Sequence, residues 1–145
     1  MEKSKDTTQY YNAIHQIIVT GHWITDEVGR VLKEFNVTEP QYNVLRTLKE
    51  NKDRPLTVQE IQEGMVQRSS NVTRIIDKLI TKGLVTRQEC PTNRRKMDIN
   101  ITPEGLEYLK TLDVKVQEFH TPMLERITFE EAKLIQQLVK KLQGI

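Results

Sequence analysis

Ser69-Ser70-Asn71-Val72-Thr73-Arg74-Ile75-Ile76-Asp77-Lys78-Leu79-Ile80-Thr81-Lys82-Gly83 is the stretch on which the fold turns. Val72, Ile75, Ile76, Leu79 and Ile80 recur at i, i+3, i+4, i+7 and i+8, the stripe of a helix with one buried face. The spacing predicts a helix from about Ser69 to Lys82, and Gly83 is placed to take the left-handed conformation that closes it.

Immediately upstream, Thr57-Val58-Gln59-Glu60 has the form of a capping box, so a short helix begins there with Val58, Ile61 and Met65 inward and Gly64 near its end. A tight turn joins the two helices. Downstream, Leu84 to Cys90 reads as a strand. Lys96-Met97-Asp98-Ile99-Asn100-Ile101 alternates polar with apolar, the mark of a half-buried strand. The connection from Pro91 to Arg95 holds turn formers, which makes a hairpin with Asn93-Arg94-Arg95-Lys96 at its tip. The stretch from Leu56 to Thr102 is thus a helix-turn-helix followed by a basic two-stranded wing.

Helical periodicity continues on both sides. Ile14, Ile17, Ile18, Ile24, Val28, Val31, Leu32 and Phe35 predict a long helix over 8–35. Thr38 and Gln41 form a second capping box, before the stripe Tyr42, Leu45 and Leu48; the loop Asn51 to Pro55 ends that helix. After the wing, Thr102-Pro103 opens a helix lined by Leu106, Leu109, Leu112, Val116 and Phe119, which Pro122 is expected to break. Thr128 and Glu131 cap a last helix carrying Leu134, Ile135, Leu138, Val139 and Leu142. The order is α-α-α-α-β-β-α-α. The expected class is mainly α with a small β-hairpin wing, within one domain over 1–145. A winged helix-turn-helix lobe spans 37–102. The outer segments 8–35 and 103–143 are amphipathic, and their simplest use is to pack together and against a second copy.

A chain of 145 residues suits one such domain. Nine cations and four anions lie between Arg54 and Lys96, a local charge of +5 in a chain whose net charge is +2. A basic middle with acidic flanks suits a polyanion. The polar start Met1-Glu2-Lys3-Ser4-Lys5-Asp6 has no apolar run after it, so no secretory signal is read there. No apolar run approaches the ~20 residues of a membrane span. One cysteine, Cys90, cannot form an intrachain disulfide. The expected compartment is the cytoplasm.

The candidate contacts to double-stranded DNA follow from the chemistry of the helix start and the wing. Ser69, Ser70, Asn71, Thr73 and Arg74 place small polar groups and a guanidinium in the first turns of a helix able to enter a major groove. The helix's N-terminal amides add partial positive charge. Ser69 is equally placed to be a simple N-cap. Arg94, Arg95 and Lys96 at the wing are placed for the backbone or the minor groove. Arg68, Lys78 and Arg87 are weaker phosphate candidates, with a salt bridge from Lys78 to Asp77 or Glu60 as the alternative.

Other groups have less definite uses. His15 or Trp23 can line a ligand pocket or simply pack or face solvent. Cys90 is a structural thiol or, alternatively, an oxidant sensor. His15, His22 and His120 show no metal-ligand spacing, and no metal or cofactor is expected. Neither a Gly-rich phosphate loop nor a nucleophile motif is present, so an enzyme is not expected.

These residues together resemble the multiple-antibiotic-resistance regulator (MarR) family of bacterial transcription factors. Asn71-Val72-Thr73-Arg74-Ile75-Ile76-Asp77-Lys78-Leu79 and Lys82-Gly83-Leu84-Val85-Thr86-Arg87 resemble that family's recognition helix and first wing strand. Asn93-Arg94-Arg95 and Ile101-Thr102-Pro103-Glu104-Gly105 resemble its wing and next helix, and Val37 to Leu45 its second-helix opening. The likeness runs along the whole chain. The family usually has an aspartate at the position of Asn93, orienting the arginine two positions later, here Arg95. The resemblance implies a homodimer that represses a nearby gene and is relieved by a small, often aromatic, ligand. Two recognition helices ~34–36 Å apart imply a pseudo-palindromic site. The alternatives are a winged-helix module for binding proteins, and a thiol-based regulator acting through Cys90.

Overall fold

The computed structural model describes residues 2–68 and 70–145, with side chains from Asp6 onward. The elements are α1 (Glu2–Lys33), α2 (Glu39–Glu50), α3 (Val58–Glu63), α4 (Val72–Thr81), β1 (Val85–Cys90), β2 (Asn93–Ile101), α5 (Pro103–Leu124) and α6 (Phe129–Gln143). This is the mainly helical, winged architecture that the sequence predicts.

Local chemistry sets most of the boundaries. Thr38, Thr57 and Thr128 each cap a helix with the side-chain oxygen, and Gln41, Glu60 and Glu131 reach back to the cap's own N–H. Thr102 caps α5 with Pro103 in the first turn. Both α1 and α4 close by a Schellman motif. At the first, Asn36 is left-handed (φ 57°), Val37 N–H donates to Leu32 O at 3.2 Å and Asn36 N–H to Lys33 O at 3.0 Å. At the second, Gly83 is left-handed (φ 75°) and Leu84 N–H donates to Leu79 O at 3.0 Å. Leu32, Val37, Leu79 and Leu84 are all buried, so each closing turn is also packed.

One core fills the winged lobe and the helix junction. Leu32, Leu45, Ile61, Ile76, Leu79, Ile99, Leu109 and Leu112 are fully buried. Ile99 of β2 exchanges backbone hydrogen bonds with Leu56, a third short edge that alternation alone did not reveal. Gly105 brings the start of α5 against β1. A Cβ there would stand 2.2 Å from Leu84 O, so no larger residue fits without displacing backbone.

Several boundaries differ from the sequence reading. The helix α1 begins near Glu2 rather than at residue 8, because the helix-forming residues before Ile14 carry no apolar stripe to mark it. The helix α4 begins at Val72, with Asn71 as N-cap, rather than at Ser69. The capping expectation for Ser69 falls outside the described residues. Only Pro91 and Thr92 separate the wing strands, so Asn93, Arg94 and Arg95 lie in β2 rather than in the connection. Pro122 does not end α5, which runs on to Leu124 with Pro122 exposed in its last turn, where only one helical hydrogen bond is lost. Finally, α5 packs on α1, but α6 buries none of its residues. Among the described residues, no helix is long and apolar enough to cross a membrane.

Candidate nucleic-acid interface

The start of α4 is built to present polar groups outward. Val72, Ile76 and Leu79 hold the helix to the core, which leaves Thr73, Arg74, Asp77 and Lys78 exposed on the other side. Asn71 Oδ1 accepts from Arg74 N–H at 3.2 Å, so this amide oxygen is spent on the cap and its NH2 group remains to face a partner. The turn before it carries exposed Gln67 and Arg68. Gln62 donates its side-chain amide to Arg68 O, and Ser70 N–H donates to Gln67 O at 3.1 Å. Ser70 Oγ is buried without a hydrogen-bond partner among the described residues. A cleft of about 390 Å³ lies between Pro40 at the start of α2 and Arg74 and Lys78 of α4.

The wing places its cations by an irregularity of register. Glu89 lies opposite Met97, yet Cys90 lies opposite Asn93. The jump leaves Arg94, Arg95 and Lys96 without an opposite residue in β1, and all three are exposed. Asn93 Oδ1 accepts from Arg95 N–H at 3.1 Å. A neutral amide therefore orders the backbone at Arg95, in the place where the resembled family usually has an aspartate.

Ion pairing sorts the nine cations of this segment. Arg54 holds Glu60 at 2.5 Å, and Arg87 holds Asp77 at 2.6 Å. The Arg54 guanidinium, aided by Thr57 N–H, draws the Glu60 carboxyl from an ordinary 4.5 down to about 2. Lys82 Nζ donates to Asn36 O and, at 3.3 Å, to Gln41 Oε1. Among the described residues, Arg68, Arg74, Lys78, Arg94, Arg95 and Lys96 are in no ion pair, and these are six of the seven cations that the sequence marks for DNA. The alternative salt bridge of Lys78 is not formed: Asp77 pairs with Arg87 and Glu60 with Arg54. Arg87, the remaining phosphate candidate, pairs with Asp77.

The remaining candidates are dispersed. His15 is exposed on α1. Trp23 is 43% exposed and packs edge-on against Phe119 of α5, ring centroids 6.0 Å apart. Cys90 Sγ lies 3.3 Å from Thr92 Oγ1, and hydrogen bonding from Thr92 draws the thiol below its ordinary value. Thr92, two residues on in the tight turn, is the sequence signal for this contact.

The sequence pattern of the MarR family matches residues 37–97, which span α2 to the middle of the wing. An uncharacterized HTH-type transcriptional regulator of Bacillus subtilis, YsmB, is 32% identical over 121 residues, covering 83% of this chain and 82% of its own. The chain belongs to the MarR family. Its winged helix is accordingly the DNA-binding lobe of a transcriptional regulator. Two solved structures of MarR-type fold share its shape. That of Staphylococcus aureus MepR in complex with DNA has a TM-score of 0.78, 19% identity, and covers 92% of this chain and 96% of its own. That of Rhodococcus jostii CouR bound to p-coumaroyl-CoA has a TM-score of 0.76, 20% identity, and covers 88% of each chain.

Proposed function

We propose that this MarR-family protein is a homodimeric repressor that binds a pseudo-palindromic duplex and is released by a small aromatic ligand. The observation that carries the reading is the sorting of charge. The six unpaired cations sit at the start of α4, along its outer face and on the wing, while the other three of the segment are spent on internal partners. Arg74, Asn71 and Thr73 read the major groove, whereas Ser70, expected from the sequence to join them, has its Oγ buried; Ser69 stays a candidate from the sequence alone. Arg68 and Lys78 hold phosphates, and Arg94, Arg95 and Lys96 grip the adjacent backbone or minor groove. MepR, a fold relative solved on DNA, supports this docking.

Residues 8–35 and 103–143 form the dimer, and residues 37–102 the DNA lobe. Leu134, Ile135 and Leu138 of α6 are each about half exposed in the single chain, as are Ile18 and Val19 of α1. A second copy covers such a surface with the same surface, the isologous arrangement that a two-fold duplex site requires. The ligand complex of CouR supports an aromatic effector. In this reading the effector sits beside half-exposed Trp23, which packs on Phe119 of α5, with His15 about 12 Å away along α1.

The test is to equilibrate the purified protein with fragmented genomic DNA and sequence what it retains. An enriched inverted repeat with half-sites one helical turn apart is the expected result. Retention with no enriched repeat would overturn the reading. Release of the selected duplex by phenols or aromatic carboxylates, at unchanged salt, then tests the effector. A winged-helix module for proteins would retain no duplex.

A further inference from the structure

The end of α1 is held from two directions. Its Schellman closure uses the carbonyls of Leu32 and Lys33, and leaves those of Phe35 and Asn36 beyond the motif. Tyr108 of α5 donates its hydroxyl to Phe35 O, 73 residues away in sequence. Lys82, the C-cap of α4, donates to Asn36 O, 46 residues away. The same ammonium lies 3.3 Å from Gln41 Oε1. That oxygen also accepts from Thr38 N–H at 3.2 Å, and Gln41 is buried. Asn36 O lies just past the C-terminus of α1, where the helix dipole favours a cation, and Gln41 Oε1 in the first turn of α2 supplies the second oxygen.

We propose that Lys82 and Tyr108 are positioning residues: a two-point catch on the end of α1 that fixes the angle of α4, and hence the separation of the two recognition helices, without touching DNA. The inference rests on the dimeric duplex-binding reading above. Lys82 sits at the end of α4 opposite Asn71 and Arg74. Among the described residues Lys82 is held by neutral oxygens without a carboxylate, whereas Arg54 and Arg87 are each paired with a carboxylate. The ten residues of α4 span about 15 Å, so a tilt of ~10° about the Lys82 end displaces the Asn71 end by about 2–3 Å. That is enough to lose register with base edges. The apolar surface of α1 proposed for the dimer lies on the same rod that the catch grips, so the catch transmits the dimer's geometry to α4.

The experiment compares wild-type protein with Lys82→Met, Lys82→Arg and Tyr108→Phe. The probes are the duplex selected by the wild type and versions with the half-site separation changed by one or two base pairs. The wild type is expected to discriminate sharply between separations. Lys82→Met keeps the stem and is expected to weaken binding to the matched duplex about three- to thirtyfold. It also narrows the gap between matched and altered duplexes, and leaves the salt dependence unchanged. Tyr108→Phe moves in the same direction, and Lys82→Arg restores most of the discrimination. Undiminished discrimination in Lys82→Met and Tyr108→Phe, both folded by circular dichroism, overturns the inference. So does a salt slope lowered by about two per dimer in Lys82→Met, which marks Lys82 as a phosphate contact. A wild type indifferent to separation removes the dimeric reading itself, a result distinguishable from failure of the catch alone.

Discussion

Asp77 of α4 and Arg87 of β1 form an ion pair at 2.6 Å, which ties the recognition helix to the first strand of the wing. Their side chains are 53% and 35% exposed. An exposed pair contributes at most about 1 kcal/mol to stability. Its larger effect is on charge, because it removes one cation and one anion from the face that meets DNA. Asp77→Asn is therefore expected to cost under ~1 kcal/mol in urea unfolding. It should raise affinity for random-sequence duplex at low salt, because Arg87 is released. A fall in that affinity would contradict the assignment of Arg87 as an internal partner.

Arg74→Ala and Arg95→Ala are each expected to weaken binding to the selected duplex by about 1–3 kcal/mol, roughly five- to 150-fold, without unfolding the protein. Asn93→Ala should weaken it less, because it loses only the bond from Arg95 N–H and no charge. Fluorescence anisotropy on the three variants checks the order. Equal affinity of Arg74→Ala, Arg95→Ala and wild type would remove the groove assignment.

Gly105→Ala tests the close approach of α5 to the wing. The added methyl would stand 2.2 Å from Leu84 O and 2.7 Å from Ile101 Cγ1. Leu84 O also receives Thr102 N–H at 3.0 Å, so the backbone just before β1 cannot move away freely. A loss of about 1–3 kcal/mol or more in urea unfolding is expected. A gain in stability, the usual effect of Ala for Gly inside a helix, would contradict the packing described.

The capping boxes, the left-handed Gly83 and the apolar stripes were legible because each depends on residues a few positions apart. Thr38 with Gln41, Thr57 with Glu60 and Thr128 with Glu131 are complete within one turn of chain. The concentration of cations at the helix start and wing was legible for a related reason, since the order of charges in the sequence already sets them there; which of them are ion-paired was not. What could not be read were contacts between distant segments. The Leu56–Ile99 bridge, the hold of Lys82 on Asn36 O and the pairing of Asp77 with Arg87 need the fold before they exist. The start of α4 is not fixed by sequence, because three consecutive polar residues, Ser69, Ser70 and Asn71, are all good caps and local chemistry does not choose Asn71 among them.

Glu60 gives a pH prediction. Its carboxyl is held at about 2 by Arg54 and by Thr57 N–H, below an unfolded value near 4.5. Its contribution to stability is therefore complete above pH 4.5 and is lost as pH falls toward 2. Glu60→Gln keeps a side-chain oxygen for the capping box but removes the charge. The variant's unfolding curves should accordingly depend less on pH across that window, with little change in helix content. An acid limb identical to that of the wild type would sink the assignment.

The central claim is that two copies of one cationic face bind a duplex. It is tested most directly by the salt dependence of affinity for the selected duplex. A dimer contacting ~8–12 phosphates should give a log–log slope of about −7 to −11, and lose several orders of magnitude over a modest salt increase. An affinity indifferent to salt, or no binding to any duplex in dilute buffer, would contradict the account.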